Sequence, residues 1–375
     1  MIEQLLDVAE MIAAFAGGAF GAALGPLPAF IFTGFMVIAG EAAVLVDPDA
    51  AAITNQIAFG PPFSPAISFA GGVAATAYAA RKGYIDTDFD YHEAKNIAYA
   101  LGTKPDVLAV GGAFGILGYW LVVASAELGM PYDPIAMGVV LSALFHRLIL
   151  GYSIIGKVRG SGILDMTPFE REERRTATDG GQKQAHADGE AQAGTDATTT
   201  AAATQQARFS VEPWLPHQYH WSHVAMIGLV AGILGAYVGI ASGSAFLGFG
   251  ISAASLVFLN CGVEKVPVTH HITLPAATAG MAVYIPATGG IAESAPVAYD
   301  SAALLANTGL EVALIVGLVF GIICALFGEV FQRTFYAHGD THVDPPAAAI
   351  VFGTFLVAVL YVAGVFPTTV WVPWF

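Results

Sequence analysis

The chain alternates between long apolar segments and short polar loops. This pattern restricts the possible folds more than any other feature of the sequence. Several segments reach the roughly 20 residues that a helix needs to cross the hydrocarbon core of a bilayer. Only 11% of the 375 residues are charged and 56% are hydrophobic, whereas a soluble domain carries about 25% charged residues. The pattern predicts an all-α polytopic membrane protein.

Five apolar segments lie on each side of a polar stretch. The first five are 12–25, 27–46, 60–80, 106–128 and 134–152. The second five are 223–241, 243–261, 268–287, 309–331 and 346–366. We predict about ten membrane segments, of which the first pair in each half either spans the bilayer or forms a re-entrant hairpin.

The polar stretch at 157–215 divides the chain into two membrane units. It is low in hydrophobic residues and shows no helical or strand period, so it cannot bury enough apolar surface to fold. We predict a first membrane repeat at 1–156, a disordered cytoplasmic linker at 157–215 and a second membrane repeat at 216–375.

The two halves share sequence in the same order. "GAFGAALGPLPAFIFTGF" from Gly18 aligns with "GILGAYVGIASGSAFLGF" from Gly232, and "VGGAFGIL" at 110 aligns with "VGLVFGII" at 316. Ser68 aligns with Thr273, and "YDPIA" at 132 aligns with "VDPPA" at 343. An internal duplication explains these matches, and a shared composition rich in glycine and alanine is the alternative.

An odd number of segments per half predicts that the second copy enters the membrane upside down, as in many secondary transporters. With both termini outside, all 14 lysines and arginines fall on the inner side, which agrees with the positive-inside rule. We therefore expect a cell-membrane protein with an inverted repeat, outer termini and a cytoplasmic linker. A parallel duplication with one non-spanning segment per half remains the alternative.

Segments 3 and 8 both begin with breaks in the helix. "FGPPFSPAISF" at 59–69 contains three prolines, and "VPVTHHITLP" at 266–275 has two. Irregular backbone at membrane depth survives only where it is buried or lines a wet cavity, and a helix N-terminus favours an anion. We predict that these breaks and the turns at 25–28 and 239–244 bind the solute near the midplane, although the prolines could simply mark helix starts at the interface. The predicted substrate-binding residues are Pro28, Ser64, Ser68, Ser242, Ser244, Thr269, His270 and Thr273.

Two ionisable residues are candidates for coupling to Na⁺ or H⁺. Glu41 lies within the apolar run "GFMVIAGEAAVLV", where acids are costly and indicate function by default. His271 is a candidate proton carrier. The alternatives are that Glu41 reaches the outer interface and that His271 is an ordinary interfacial histidine.

Composition and motifs exclude several classes of function. The net charge of −15 argues against nucleic-acid binding, which needs a basic face. The acidic, lysine-poor composition is typical of a halophilic host such as a halophilic archaeon. No nucleotide-binding, hydrolase or metal-binding motif is found, so we predict no catalytic residues, no metal site, no cofactor and no enzyme activity.

Three smaller predictions concern the ends of segments. Asp133-Pro134 and Asp344-Pro345 match an N-cap followed by proline at the first helical position. We expect Arg147 to extend its charged end to the inner surface. The terminal "WVPWF" is expected to form an aromatic belt at the outer interface.

A stretch of the first half resembles the large membrane subunit of tripartite tricarboxylate transporters. The resemblance rests on "GAALGPLPAF", where Gly25, Pro26 and Pro28 keep part of a family turn, and on Gly83-Tyr84 in the later loop. It covers about 90 residues, and the "GLG" of the family turn is missing. The resemblance implies an organic-anion carrier with hairpins that enter from both sides. The chain also resembles uncharacterised duplicated multi-pass membrane proteins with an "FAGGVAATAYAARKGY"-like signature, which imply no function.

These observations together predict a secondary transporter for a small, anionic solute, with the lipid bilayer as its partner and a homo-oligomer as an open alternative. A channel or passive facilitator would instead have a continuous wet path and no coupling ion. A structural or lipid-binding membrane protein would have a dry, packed centre around Ser68 and Thr273.

Overall fold

The computed structural model describes residues 2–47, 50, 52–175, 208–288 and 309–374. Regular structure in these residues is helical, and one isolated antiparallel bridge joins Arg174 to Phe209. Five of the described helices are long and apolar enough to cross a membrane, which supports a membrane protein. They are Pro26–Val46, Pro105–Glu127, Trp221–Ser242, Leu310–Tyr336 and Pro345–Val362.

We number ten principal helices in the described residues. The first half contains α1 (Val8–Leu24), α2 (Pro26–Val46), α3 (Ala70–Arg81), α4 (Pro105–Glu127) and α5 (Pro134–Leu150). The second half contains α6 (Trp221–Ser242), α7 (Ala245–Ala254), α8 (His270–Thr288), α9 (Leu310–Phe331) and α10 (Pro345–Val362). A π-helical turn at Pro65–Phe69 leads into α3, and Leu256–Asn260 continues the direction of α7.

The starts of several helices follow from their local sequence. Asp133 caps α5 by accepting hydrogen bonds from the N–H groups of Ile135 and Ala136, and proline follows it directly. Asp344 caps α10 in the same way through the N–H of Ala347. Both N-cap predictions are confirmed. Gly25 separates α1 from α2 at φ 96°, which is a conformation that favours glycine.

Glycines let the first and fourth helices of each half approach closely. In the first half, a side chain at Gly18 would overlap the carbonyl oxygen of Gly111. In the second half, a side chain at Gly232 would overlap the carbonyl oxygen of Gly317. Small residues allow this kind of close backbone packing between membrane helices.

A second pair of close contacts joins the first helix of each half to the third. Gly21 in α1 lies against the backbone of Ser68, and Gly235 in α6 lies against the backbone of Thr273. These are the same positions that the sequence alignment of the two halves brings together.

The halves contact each other through α2 with α7 and through α5 with α10. Gly34 of α2 lies against the backbone of Ala253 and Ala254, and Gly250 of α7 lies against Val37. The N–H of Asp133 donates to Oγ1 of Thr354 in α10 at 2.9 Å. The interface is therefore built from matching helices of the two halves.

Loops from both halves meet at one end of the helices, which we call the polar end: residues 82–104, 151–175, 208–220, 261–269 and 337–344. Lys95 and Glu212 form a fully buried ion pair there, with 2.6 Å between Nζ and Oε2. Arg208 contacts Glu212 and also Asp340, at 3.1 and 2.6 Å. Burial lowers the pKa of Lys95 to about 8, although the carboxylate of Glu212 opposes this shift.

The predicted linker at 157–215 is folded at both of its described ends. Met166 and Val211 are buried in one apolar cluster with Tyr219 and Ala337. The prediction of disorder is therefore wrong for 157–175 and 208–215, because these flanks carry the apolar and charged partners that cover the polar end. Residues 176–207 lie outside the described residues.

Two predictions about segment ends need correction. Arg147 does not reach solvent: it is fully buried, and its guanidinium donates to the carbonyls of Phe335 and Thr341 at 2.6 and 2.8 Å. Loop carbonyls without helical partners need such donors. Trp371 points inward rather than into a belt, and its indole N–H donates to Oγ1 of Thr278 at 2.9 Å.

Candidate solute-binding cavity

A cavity of about 980 Å³ lies between the two halves. Side chains from helices of both halves line it, and most of them are apolar. Examples are Phe30, Pro65, Ala136, Phe249, Leu274 and Ile350. A volume of this size falls in the range of small-molecule sites, about 300 to 1,000 Å³.

Aromatic rings from both halves meet in the lining. The ring of Phe30 lies 4.7 Å from that of His270, 5.8 Å from Phe69 and 5.9 Å from Phe249, measured between centroids. His342 extends the cluster, since its ring lies 5.7 Å from Phe69. The cluster offers flat apolar surfaces to an occupant on more than one side.

Four helix starts border the cavity. They are marked by the lining residues Pro65, Pro134, His270 and Pro346. The starts of α5 and α10 are offset along the bundle, because Asp133 bonds to Thr354, ten residues beyond Asp344 and about 15 Å along the helix. Asp side chains cap α5 and α10, whereas Ser64 makes no side-chain cap before the turn at Pro65–Phe69.

Two aspartates in the lining differ in how many of their carboxylate oxygens are hydrogen-bonded. Asp344 uses both oxygens: Oδ1 contacts Nε2 of His342 at 3.1 Å, and Oδ2 accepts from the N–H of Ala347 at 2.8 Å. Asp133 uses only Oδ1, which accepts from Ile135 and Ala136. Within the described residues, Oδ2 of Asp133 has no hydrogen-bond partner, although the residue is only 8% exposed.

His270 is the predicted site residue that lines the cavity. Its ring forms no hydrogen bond within the described part of the chain, and its Nδ1 is buried without a partner. Nδ1 of His342 is also buried and unpartnered there. Buried polar atoms of this kind are unusual in folded proteins and point to a missing partner such as a ligand or water.

The predicted residues around the first helix break lie outside the lining. Ser64 and Ser68 are buried, and the Ser68 hydroxyl donates to the Ser64 carbonyl at 3.2 Å. Pro28 is half-buried in the first turn of α2. Pro65 and Phe69, which flank Ser68, line the cavity instead.

The predicted hydroxyl residues of the second half are satisfied within the helices. Ser244 caps α7 through the N–H groups of Phe246 and Leu247, and the Ser242 hydroxyl donates to the Val238 carbonyl at 2.7 Å. Thr269 and Thr273 both lie within hydrogen-bonding distance of the Ser252 hydroxyl, at 3.1 and 3.3 Å. The structure brings these two threonines together, but not into the cavity.

The two coupling candidates also lie away from the cavity. Glu41 accepts a hydrogen bond from the hydroxyl of Thr54 at 2.7 Å. His271 is buried beside Trp214 and close to Gly328 of α9. Neither side chain is part of the lining.

The two ends of the cavity are lined by different kinds of side chain. Exposed Asp88 and Asp90 line it at the polar end. At the other end the rings of Phe59, Phe246 and Trp371 contact one another in T-shaped and tilted arrangements, with centroids 5.3 and 4.9 Å apart. An occupant therefore meets carboxylates on the side of the polar end and aromatic rings on the opposite side.

Sequence analysis missed Asp133, Asp344 and His342 as site residues. The repeated Asp-Pro pair was a usable signal, but helix capping alone explained it. Within the residues that the structure describes, no group of three or more metal-ligating side chains forms a metal site.

Comparisons with known proteins give a family without an assigned function. No curated protein and no solved structure matches the chain. One family model matches residues 1–375, over the whole length of the sequence. The chain therefore belongs to DUF7973, a family of unknown function.

Proposed function

We propose that the protein is a secondary membrane transporter that carries a small organic solute through the cavity between its two halves. The cavity is the observation that carries this proposal. It lies at the interface of two similar helical units and contains buried polar atoms without partners. Secondary transporters place their sites in this position, between repeats and beside helix breaks.

We further propose that the halves are inverted repeats, and the direction of their helices supports this. The end of α1 lies at the polar end, because the Ala22 carbonyl accepts from the N–H of Leu101. By contrast, α6 begins at the polar end, directly after the loop at 208–220. Although α1 and α6 run in opposite directions, Gly18 in α1 and Gly232 in α6 make equivalent contacts, with Gly111 and Gly317.

The cavity also weighs against a purely structural protein and against a channel. A purely structural protein has no use for a space of about 980 Å³, although Ser68 and Thr273 themselves are buried outside it and a lipid-binding protein could use it. A channel needs a continuous wet path, whereas the apolar rings of Phe59, Phe246 and Trp371 line one end of the cavity. Alternating access of the two halves around the cavity fits both the size of the cavity and the aromatic rings at one of its ends.

Transport is tested with purified protein in proteoliposomes. Benzoate, succinate, phosphate, glycerol, choline and phenethylamine are screened for thermal stabilisation, which reports ligands that bind the folded state. Stabilising solutes are then tested for counterflow with the wild type and with His270→Phe, which removes the unpartnered nitrogens. We expect saturable counterflow of one solute class that His270→Phe reduces. Stabilisation without counterflow, or no response to any solute, would contradict transport.

Sidedness tests the inverted arrangement. A membrane-impermeant maleimide should label the native Cys261 only after permeabilisation, and a Leu128→Cys variant in a Cys261→Ser background should be labelled in intact cells. Labelling of both positions from the same side would contradict the proposed topology.

A further inference from the structure

We propose that the cavity binds a small organic cation with an aromatic or apolar body, such as a hydrophobic amine. The inference rests on the proposed function, since it names the substrate class of the same cavity. It departs from the anion expected from the sequence because the described lining contains one lysine and four carboxylic acids. The acids are Asp88, Asp90, Asp133 and Asp344.

The lysine in the described lining is already paired, and the other basic side chains there are the imidazoles of His270 and His342. The Nζ of Lys95 pairs with Glu212 at 2.6 Å, and its side chain has no exposed surface. No arginine is part of the lining. A bound anion would therefore meet no free lysine or arginine of the described lining and could rely only on the imidazoles of His270 and His342, whereas a bound cation would have carboxylates within the same cavity.

Asp133 is the strongest single feature. Its Oδ1 accepts both capping hydrogen bonds, and its Oδ2 has no hydrogen-bond partner within the described residues. The residue is 8% exposed, and a carboxylate in such an apolar site is costly unless it is paired or hydrogen-bonded. An ammonium group in the cavity would supply that partner.

The aromatic lining favours the same class. The faces of aromatic rings attract cations within about 6 Å of their centroids. The rings of Phe30, Phe69 and Phe249 lie close together in the cavity. They can pack against the apolar body of an amine and stabilise its charge.

The positive ends of the helices do not outweigh the carboxylates of the lining. Each helix start contributes roughly half a positive charge, so the four starts roughly offset the two capping aspartates, Asp133 and Asp344. Toward the polar end, Asp90 pairs with Arg174 at 3.0 Å, and Asp88 adds a carboxylate that has no ion-pair partner among the described residues.

The inference is tested with three probes that share one benzyl body: benzyltrimethylammonium, benzyl alcohol and phenylacetate. Equilibrium dialysis in constant salt measures their affinity for the wild type, Asp133→Asn and Asp7→Asn. Asparagine caps helices about as well as aspartate. Asp7→Asn is a matched control, because Asp7 caps α1 through the same two N–H positions but is exposed outside the cavity.

We expect benzyltrimethylammonium to bind most tightly and Asp133→Asn to weaken it at least tenfold, with no change in Asp7→Asn. Tightest binding of phenylacetate or benzyl alcohol, an equal effect of both variants, or no binding of any probe would overturn the inference. Counterflow of the same probes separates the two proposals. Exchange of phenylacetate alone would support transport and reject the cation site. Cation binding without exchange would support the cation site and reject transport.

Discussion

Asp133 and Thr354 connect the two halves of the protein through one hydrogen bond, from the N–H of Asp133 to Oγ1 of Thr354 at 2.9 Å. The same hydroxyl donates to the Ile350 carbonyl at 2.8 Å. Thr354 is fully buried, so the bond fixes the start of α5 against the middle of α10. It thereby positions the Asp133 carboxylate in the cavity wall.

Thr354→Val should destabilise the protein by about 1 to 3 kcal/mol, because it leaves the buried N–H of Asp133 without an acceptor. Thermal unfolding in detergent measures the change. Thr334→Val is the control, since the Thr334 hydroxyl donates to the Val330 carbonyl in the same helical manner but accepts no second bond. Equal effects of the two substitutions would show that the bond between the halves contributes little.

Gly18→Ala and Gly232→Ala should each destabilise the protein by about 2 kcal/mol or more, because the added methyl group meets backbone that cannot move aside. The two effects should be similar if the halves are equivalent. Gly248→Ala is the control: its new methyl group would have its nearest neighbours at 3.7 Å. We expect that variant to unfold at or above the wild-type temperature, and a loss there as large as at Gly18 would contradict the packing argument.

Lys95→Met should cost about 3 to 5 kcal/mol, since breaking a buried ion pair leaves Glu212 without one of its partners. The exposed pair between Asp90 and Arg174, at 3.0 Å, provides the comparison. Asp90→Asn should change the free energy of unfolding by less than about 1 kcal/mol. Chemical denaturation of both variants measures the difference, and a small effect of Lys95→Met would mean that Arg208 alone satisfies Glu212.

His92 should make the protein less stable in acid. Burial and the nearby Arg208 lower the pKa of His92 to about 4, from 6.5. The unfolded chain therefore binds more protons than the folded one between about pH 4 and 6.5, and stability rises with pH across that window. The full effect is at most about 3 kcal/mol.

His92→Asn should flatten this part of the pH profile, measured as unfolding temperature from pH 4 to 7. Some slope will remain, because burial also lowers the pKa of His338. Below pH 4 further loss should come from Asp340, whose pKa lies below its ordinary value beside Arg208. An unchanged slope in His92→Asn would contradict the assignment to His92.

The helices themselves could be predicted largely from the sequence. The predicted segment 12–25 corresponds to α1, and the Asp-Pro pairs start α5 and α10 as expected. Apolar length and capping chemistry are local properties, which explains this agreement. Whether each of the ten segments crosses the bilayer remains a prediction.

The site was harder to predict because polar residues near a helix break need not face a cavity. Ser68 donates to a carbonyl four residues earlier, and so does Ser242. Such bonds satisfy a hydroxyl within its own helix. Glu41 accepts a hydrogen bond from Thr54, 13 residues later in the chain, and no strong sequence signal indicates this contact. The cavity instead depends on which faces of α2, α5, α7 and α10 meet, and this is a property of tertiary packing.

The most direct test of the solute path is counterflow through an Ala347→Phe variant. Ala347 is a small, buried residue of the lining at the start of α10, so a phenyl group there would occupy the cavity. The account predicts that the variant folds with an unfolding temperature near that of the wild type and loses solute exchange in proteoliposomes. Undiminished exchange by a well-folded Ala347→Phe protein would contradict the claim that the solute passes through this cavity.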